Sequence, residues 1–140
     1  MDRNEELRQW FALSEQNLQV AKHLIKTMHP TPDETICNNC QQSVEKYLKG
    51  YLFFNNVVFD KIHNLSQLLA KCIAVDADFK IYARQCTFLS KYAVMPRYPN
   101  NLQISYDDAV SSIRFADDIK KFVLSKVVLS HNPTQNVKPQ

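Results

Sequence analysis

Glycine is almost missing from this chain. Gly50 is the single one in 140 residues, where average usage would give roughly ten. Tight hairpin loops draw on Asn-Gly, Asp-Gly or Gly-Gly, and none of these dipeptides occurs. A multi-stranded antiparallel fold is therefore hard to build here, and an all-helical one is favoured. Long apolar runs are missing too. Stretches such as Tyr51 to Phe54 fall far short of the ~20 residues needed to span a bilayer, so no membrane association is expected. The opening M-D-R-N-E-E-L-R is charged and carries no apolar h-region, so no secretory signal is expected there. Strong charge of one sign is also lacking. The formal net charge is +3, with acids leading up to Thr35 and bases afterwards, which permits an anionic partner without requiring one.

Cysteine is present, but not as a framework. Cys37, Cys40, Cys72 and Cys86 fall inside apolar stripes rather than in loops, which suits free thiols in a reducing, cytoplasmic compartment. Cys37-x-x-Cys40 has the spacing of half a metal site, yet no second Cys/His pair at ligand spacing completes it. A redox CxxC follows a strand, and no strand precedes this one. The two thiols read instead as apolar positions i and i+3 of a helix, and no metal or cofactor is implied.

Helical periodicity carries most of the chain. Residues 37–54 form its centre: Cys37, Cys40, Val44, Tyr47, Leu48 and Tyr51 share one face, while Gln41, Gln42, Glu45, Lys46 and Lys49 fall largely on the other. A first helix presents Leu7, Trp10, Phe11, Leu18, Ala21, Leu24, Ile25 and Met28, and His29-Pro30-Thr31-Pro32 ends it. Thr31 or Asp33 is the expected cap of the central helix. Gly50, inside that helix, implies a close helix crossing or a ligand held against backbone. Asn64 is placed to cap a third helix carrying Leu65, Leu68, Leu69, Cys72 and Ile73. Asp76 or Asp78 precedes a fourth with Phe79, Tyr82, Ala83, Cys86, Leu89 and Ala93 on its inner side. After the break at 95–101, a last helix starts near Ser105 to Asp108 with Ala109, Val110, Ile113, Ala116, Ile119, Phe122, Val123 and Val127 inward. The expectation is one all-α domain over residues 1–130, an antiparallel up-and-down bundle of four long helices and one short one, with residues 131–140 a mobile tail.

No nucleophile–base–orienter set is legible, and there is no H-E-x-x-H and no phosphate loop. The paired carboxylates Asp107-Asp108 and Asp117-Asp118 suit capping and solvation. What remains is a set of polar residues beside core segments: Gln41, Gln42, Glu45, Lys46 and Lys49, then His63, then Arg97 and Tyr98. The simplest reading of Glu45 and Lys49 is an intrahelical pair at i, i+4, contributing about 0.3–0.5 kcal/mol. For Arg97 it is capping of helix carbonyls, with Tyr98 plugging the end of the bundle.

These residues also carry a resemblance. W-F-A-L-S-E-Q-N-L-Q-V-A-K-H-L from Trp10, C-Q-Q-S-V-E-K-Y-L-K from Cys40, His63-Asn64-Leu65 with Leu69, Arg97-Tyr98-Pro99 and a closing helix around Ala109 and Ala116 resemble the HEPN (higher eukaryote and prokaryote nucleotide-binding) family, in the subgroup with an R-Y-P segment. The blocks span about residues 7–127. The resemblance implies a helical bundle, commonly a homodimer, often paired with a small nucleotidyltransferase in a toxin–antitoxin-like couple. Many members are metal-independent ribonucleases that use an Arg followed four to six residues later by a His. Here Arg97 is followed by Y-P-N-N-L-Q-I-S-Y, the next histidine is His131, and Arg3, Arg8, Arg84 and Arg114 have none at that spacing. Arg97 retains a guanidinium fork for a phosphate and Tyr98 a ring for a base. The resemblance thus implies a nucleotide- or RNA-binding module without efficient catalysis, binding through Arg97, Tyr98, His63, Lys46, Lys49, Glu45 and Gln42. The alternatives are a ribonuclease toxin with a displaced histidine, His63 meeting Arg97 in space, and a structural partner docking through exposed Val57, Val58 and Phe59.

Overall fold

A computed structural model describes residues 1–94 and 103–130, with side chains through residue 127. Arg97, Tyr98 and the 131–140 tail lie outside the described residues. The elements are α1 (Arg3–Thr27), α2 (Asp33–Phe54), α3 (Leu65–Val75), a 3-10 segment (Ala77–Tyr82), α4 (Ala83–Ser90) and α5 (Tyr106–Ser130). All are helical, and none among the described residues is long and apolar enough to cross a membrane.

Pairings between the elements give the topology. Arg3 reaches the Phe53 carbonyl at 2.9 Å, and Lys46 reaches Asn17 at 2.6 Å, so α1 and α2 are antiparallel. Cys37 meets Ser112, and Asn38 meets the Tyr92 carbonyl. At the other end Lys126 pairs with Asp76. The 3-10 segment and α4 therefore form one arm antiparallel to α2, and α5 returns alongside. Four arms alternate in direction, and α3 is the short helix inside the second connection.

Helix α2 is the axis of the domain. Ile36, Cys37, Cys40, Val44, Tyr47, Leu48, Tyr51 and Leu52 are all buried in one core with Leu18 and Ala21 of α1, Leu65, Leu68 and Cys72 of α3, Phe79, Cys86 and Leu89 of the third arm, and Ala116, Ile119 and Val123 of α5. Removing such apolar area from water is the main stabilising term. Aromatic rings tie the lower end together: Phe79 lies 4.6 Å from Tyr51 and 4.9 Å from Phe122, centroid to centroid. Gly50 sits at a close crossing, since a β-carbon there would come 2.6 Å from Cε1 of Phe11.

The helix ends differ in places from the sequence expectation. Asn64 caps α3 by accepting from the Gln67 N–H, and Asp76 accepts from Asp78. Ser105 and Asp108 form a reciprocal capping box on α5. For α2, however, the cap position is Pro32, with no side-chain cap; Asp33 and Glu34 lie in the first turn, where they complement the helix dipole. Its other end is a Schellman motif, with Asn56 at φ 60° and the N–H groups of Asn56 and Val57 returning to the Phe53 and Leu52 carbonyls. The third arm starts as a 3-10 turn and α4 ends at Ser90, so Tyr92 is buried and Ala93 exposed. Met28, past the end of α1, and Val110 are exposed rather than inward.

Candidate functional site

The polar residues of α2 are not a solvated face. Gln41 is fully buried and Glu45 and Lys49 nearly so, and His63, in the link before α3, lies against the last two. A buried charge survives only when paired and hydrogen-bonded, and the structure supplies partners in sequence. Gln42 Nε2 donates to Gln41 Oε1 at 2.7 Å, and Gln41 Nε2 to Glu45 Oε1 at 3.3 Å. Lys49 Nζ donates to Glu45 Oε2 at 2.8 Å. His63 Nδ1 lies 3.0 Å from that same oxygen and 2.9 Å from Lys49 Nζ. Five side chains thus form one chain of contacts from Gln42 to the start of α3.

Local structure explains the convergence. Gln41, Glu45 and Lys49 are spaced four apart, so they stack along one line of the helix. The Asn64 cap fixes where α3 begins, and the residue before the cap is His63. Its side chain remains 72% exposed, whereas those of Lys49 and Glu45 are 8% and 10% exposed. Burial works to raise the pKa of Glu45. The Lys49 bond and charge, the Gln41 amide, and the His63 ring when its Nδ1 is protonated outweigh burial and hold the carboxyl below the ordinary range.

Of the residues anticipated from sequence, Gln42, Glu45, Lys49 and His63 belong to this cluster. Lys46 does not. Its Nζ turns to Asn17 of α1, which in turn donates to Asn39, and burial pushes its pKa down, with Glu45 opposing. Arg97 and Tyr98 lie outside the described residues, but both flanks of their segment are held near α2: Tyr92 by Asn38, and the start of α5 through Ser112 against Cys37. Gln41 stands in the polar set of α2 but not among the expected binding residues, and Asn38 stands in neither. The run Gln41, Glu45, Lys49 at i, i+4, i+8 is the signal that marks Gln41.

Other polar groups serve packing. Tyr47 donates to Glu15, which also pairs with Lys120; they sit in an open groove of about 560 Å³ bordered by Arg8, Phe11 and Leu124, away from the His63 cluster. Lys22 and Lys121 both pair with Asp117. Burial pushes all four thiols up, Cys86 to about 12, so each is a buried free cysteine. Of the expected apolar docking residues, Val58 is exposed, while Phe59 packs edge-on to Trp10 at 5.6 Å and Val57 lies against the core.

The described residues thus form a helical bundle with a polar cluster between α2 and the start of α3. The HEPN domain family model matches residues 7–127, and the chain belongs to that family. A crystal structure of an archaeal HEPN homologue is similar at a TM-score of 0.68 and 26% identity, covering 86% of this chain and 97% of that one. No curated protein matched.

Proposed function

We propose that this HEPN domain is a nucleotide- or RNA-binding module that works without efficient catalysis. The reading includes a homodimer, pairing with a minimal nucleotidyltransferase in a toxin–antitoxin-like couple, and residence in the cytoplasm. Family membership supports the ligand class, and the partner rests on the family resemblance. The observation that carries the site is the fixed, exposed His63 ring, with Nδ1 held by Glu45 and Lys49 and most of the side chain open to solvent. Arg97 and Tyr98 enter as phosphate and base contacts contributed by the segment whose flanks adjoin the first half of α2. Their chemistry suits binding, since a guanidinium offers donors and no proton acceptor.

Calorimetric titration with ATP, GTP and a short single-stranded RNA tests the proposal. Heat is expected from at least one of them, reduced in His63→Ala and Arg97→Ala. No heat from any ligand contradicts it. Co-purification with a nucleotidyltransferase from the native cell tests the partner.

A second reading, ribonuclease activity with His63 as a displaced base, draws on the carboxylate–histidine contact at 3.0 Å. Such a contact orients a general base when the ring proton lies on Nδ1. It predicts metal-independent RNA cleavage that is lost in both His63→Ala and Arg97→Ala.

A further inference from the structure

We infer that Lys49 is a positioning residue that sets the tautomer of His63, leaving its proton on Nε2 and making the ring a hydrogen-bond donor to a phosphate oxygen of the ligand. This rests on the binding reading above and narrows it, because it also removes His63 as a general base.

The inference comes from counting donors and acceptors. A lysine ammonium has three N–H groups and no lone pair, and a neutral imidazole has one nitrogen of each kind. Among the described residues, Lys49 Nζ has two acceptors in reach, Glu45 Oε2 at 2.8 Å and His63 Nδ1 at 2.9 Å. Glu45 already has a donor for each oxygen without the histidine, Gln41 at Oε1 and Lys49 at Oε2.

Suppose the His63 proton sat on Nδ1. Glu45 would gain a third donor, while Lys49 would face an N–H head-on and keep a single acceptor. Its side chain is only 8% exposed, so water replaces little of what is lost, and an unmet buried donor costs more than an extra hydrogen bond returns. With Nδ1 bare, Lys49 donates to both neighbours. The lone pair of Nδ1 then lies 3.0 Å from Glu45 Oε2, and the ammonium that touches both atoms screens that contact. The second arrangement gives Lys49 two acceptors where the first gives it one, and leaves each Glu45 oxygen with its donor.

The ring's other nitrogen, Nε2, then carries the proton on a side chain that is 72% exposed. It offers an N–H to a phosphate oxygen and no lone pair to a ribose hydroxyl. Hydrogen bonds to charged acceptors of this kind are the stronger ones.

Long-range proton–nitrogen correlation spectra of the full ¹⁵N-labelled chain test this directly, at mildly alkaline pH where an imidazole is neutral. Loss of the signal in His63→Gln assigns it. The expected pattern is a protonated Nε2 and a bare Nδ1; the reverse pattern, or an even mixture, overturns the inference. Lys49→Met is expected to move the proton to Nδ1 toward Glu45, and Lys49→Arg to leave it on Nε2; an unchanged tautomer in Lys49→Met overturns the role of Lys49. If Lys49→Met does not fold, the wild-type spectrum still decides the tautomer. Addition of AMP is expected to shift the Nε2 signal where adenosine does not. An Nε2–H tautomer with no response to AMP contradicts the ligand and leaves the tautomer standing, so the two failures are distinguishable.

Discussion

The Lys49 ammonium and the His63 ring meet at the same carboxylate oxygen of Glu45, 2.8 Å and 3.0 Å away respectively. An i, i+4 pair that would contribute a few tenths of a kcal/mol on a solvated helix is here buried and joined to a third group. Breaking a buried pair by removing one partner costs about 3–5 kcal/mol, since the other charge is stranded. Lys49→Met and Glu45→Ala should each destabilise on that scale in urea unfolding. Glu45→Gln combined with Lys49→Met should lie closer to wild type than Lys49→Met alone.

Stability should fall in acid. Glu45, Glu15 and Asp117 all have carboxyls held below their ordinary values; burial opposes this, and ion pairs with Lys49, Lys120 and Lys22 outweigh it. A depressed carboxyl contributes stability that is fully present above its unfolded pKa and is lost as pH falls through the folded one. The loss should begin below about pH 4.5, and thermal melts of Glu45→Gln should show a shallower acid limb than wild type. Asp33 works in the opposite sense, because burial and the neighbouring Asp108 raise its pKa, so its charged form is penalised at neutral pH.

Gly50→Ala places two effects in competition. Helix propensity favours alanine by about 1 kcal/mol, but the added carbon would sit 2.6 Å from the Phe11 ring, which is itself stacked on Tyr47. Overpacking of this kind costs typically about 1–3 kcal/mol. The net expectation is a lower urea midpoint, and a raised midpoint would show that Phe11 swings aside freely.

Asn64→Ala removes the cap of α3 and should cost about 1 kcal/mol. Because His63 precedes the cap, amide exchange at Gln67 should quicken together with broadening of the His63 ring signals. Faster exchange with an unchanged ring would separate the cap from the site.

Much of the fold was legible because helix stripes depend on local spacing. The apolar residues of α2 and the Asn64 cap follow from sequence alone, which leaves the next cap to Asp76 or Asp78. The buried state of Gln41, Glu45 and Lys49 does not, since their spacing fits a solvated face equally well until the bundle packs around α2. Lys46 could not be separated from its neighbours for the same reason: its partner Asn17 is brought close only when α1 packs on α2. The Asn55-Asn56 pair reads as a weakened helix in sequence, and only the returning N–H groups make it a Schellman ending.

Binding without cleavage is the central claim. End-labelled single-stranded RNA incubated with the protein in EDTA, resolved on native and denaturing gels, tests both halves at once. The account predicts a shifted complex on the native gel, weakened in His63→Ala, and intact RNA on the denaturing gel. RNA cleavage by the wild type that disappears in His63→Ala would contradict it.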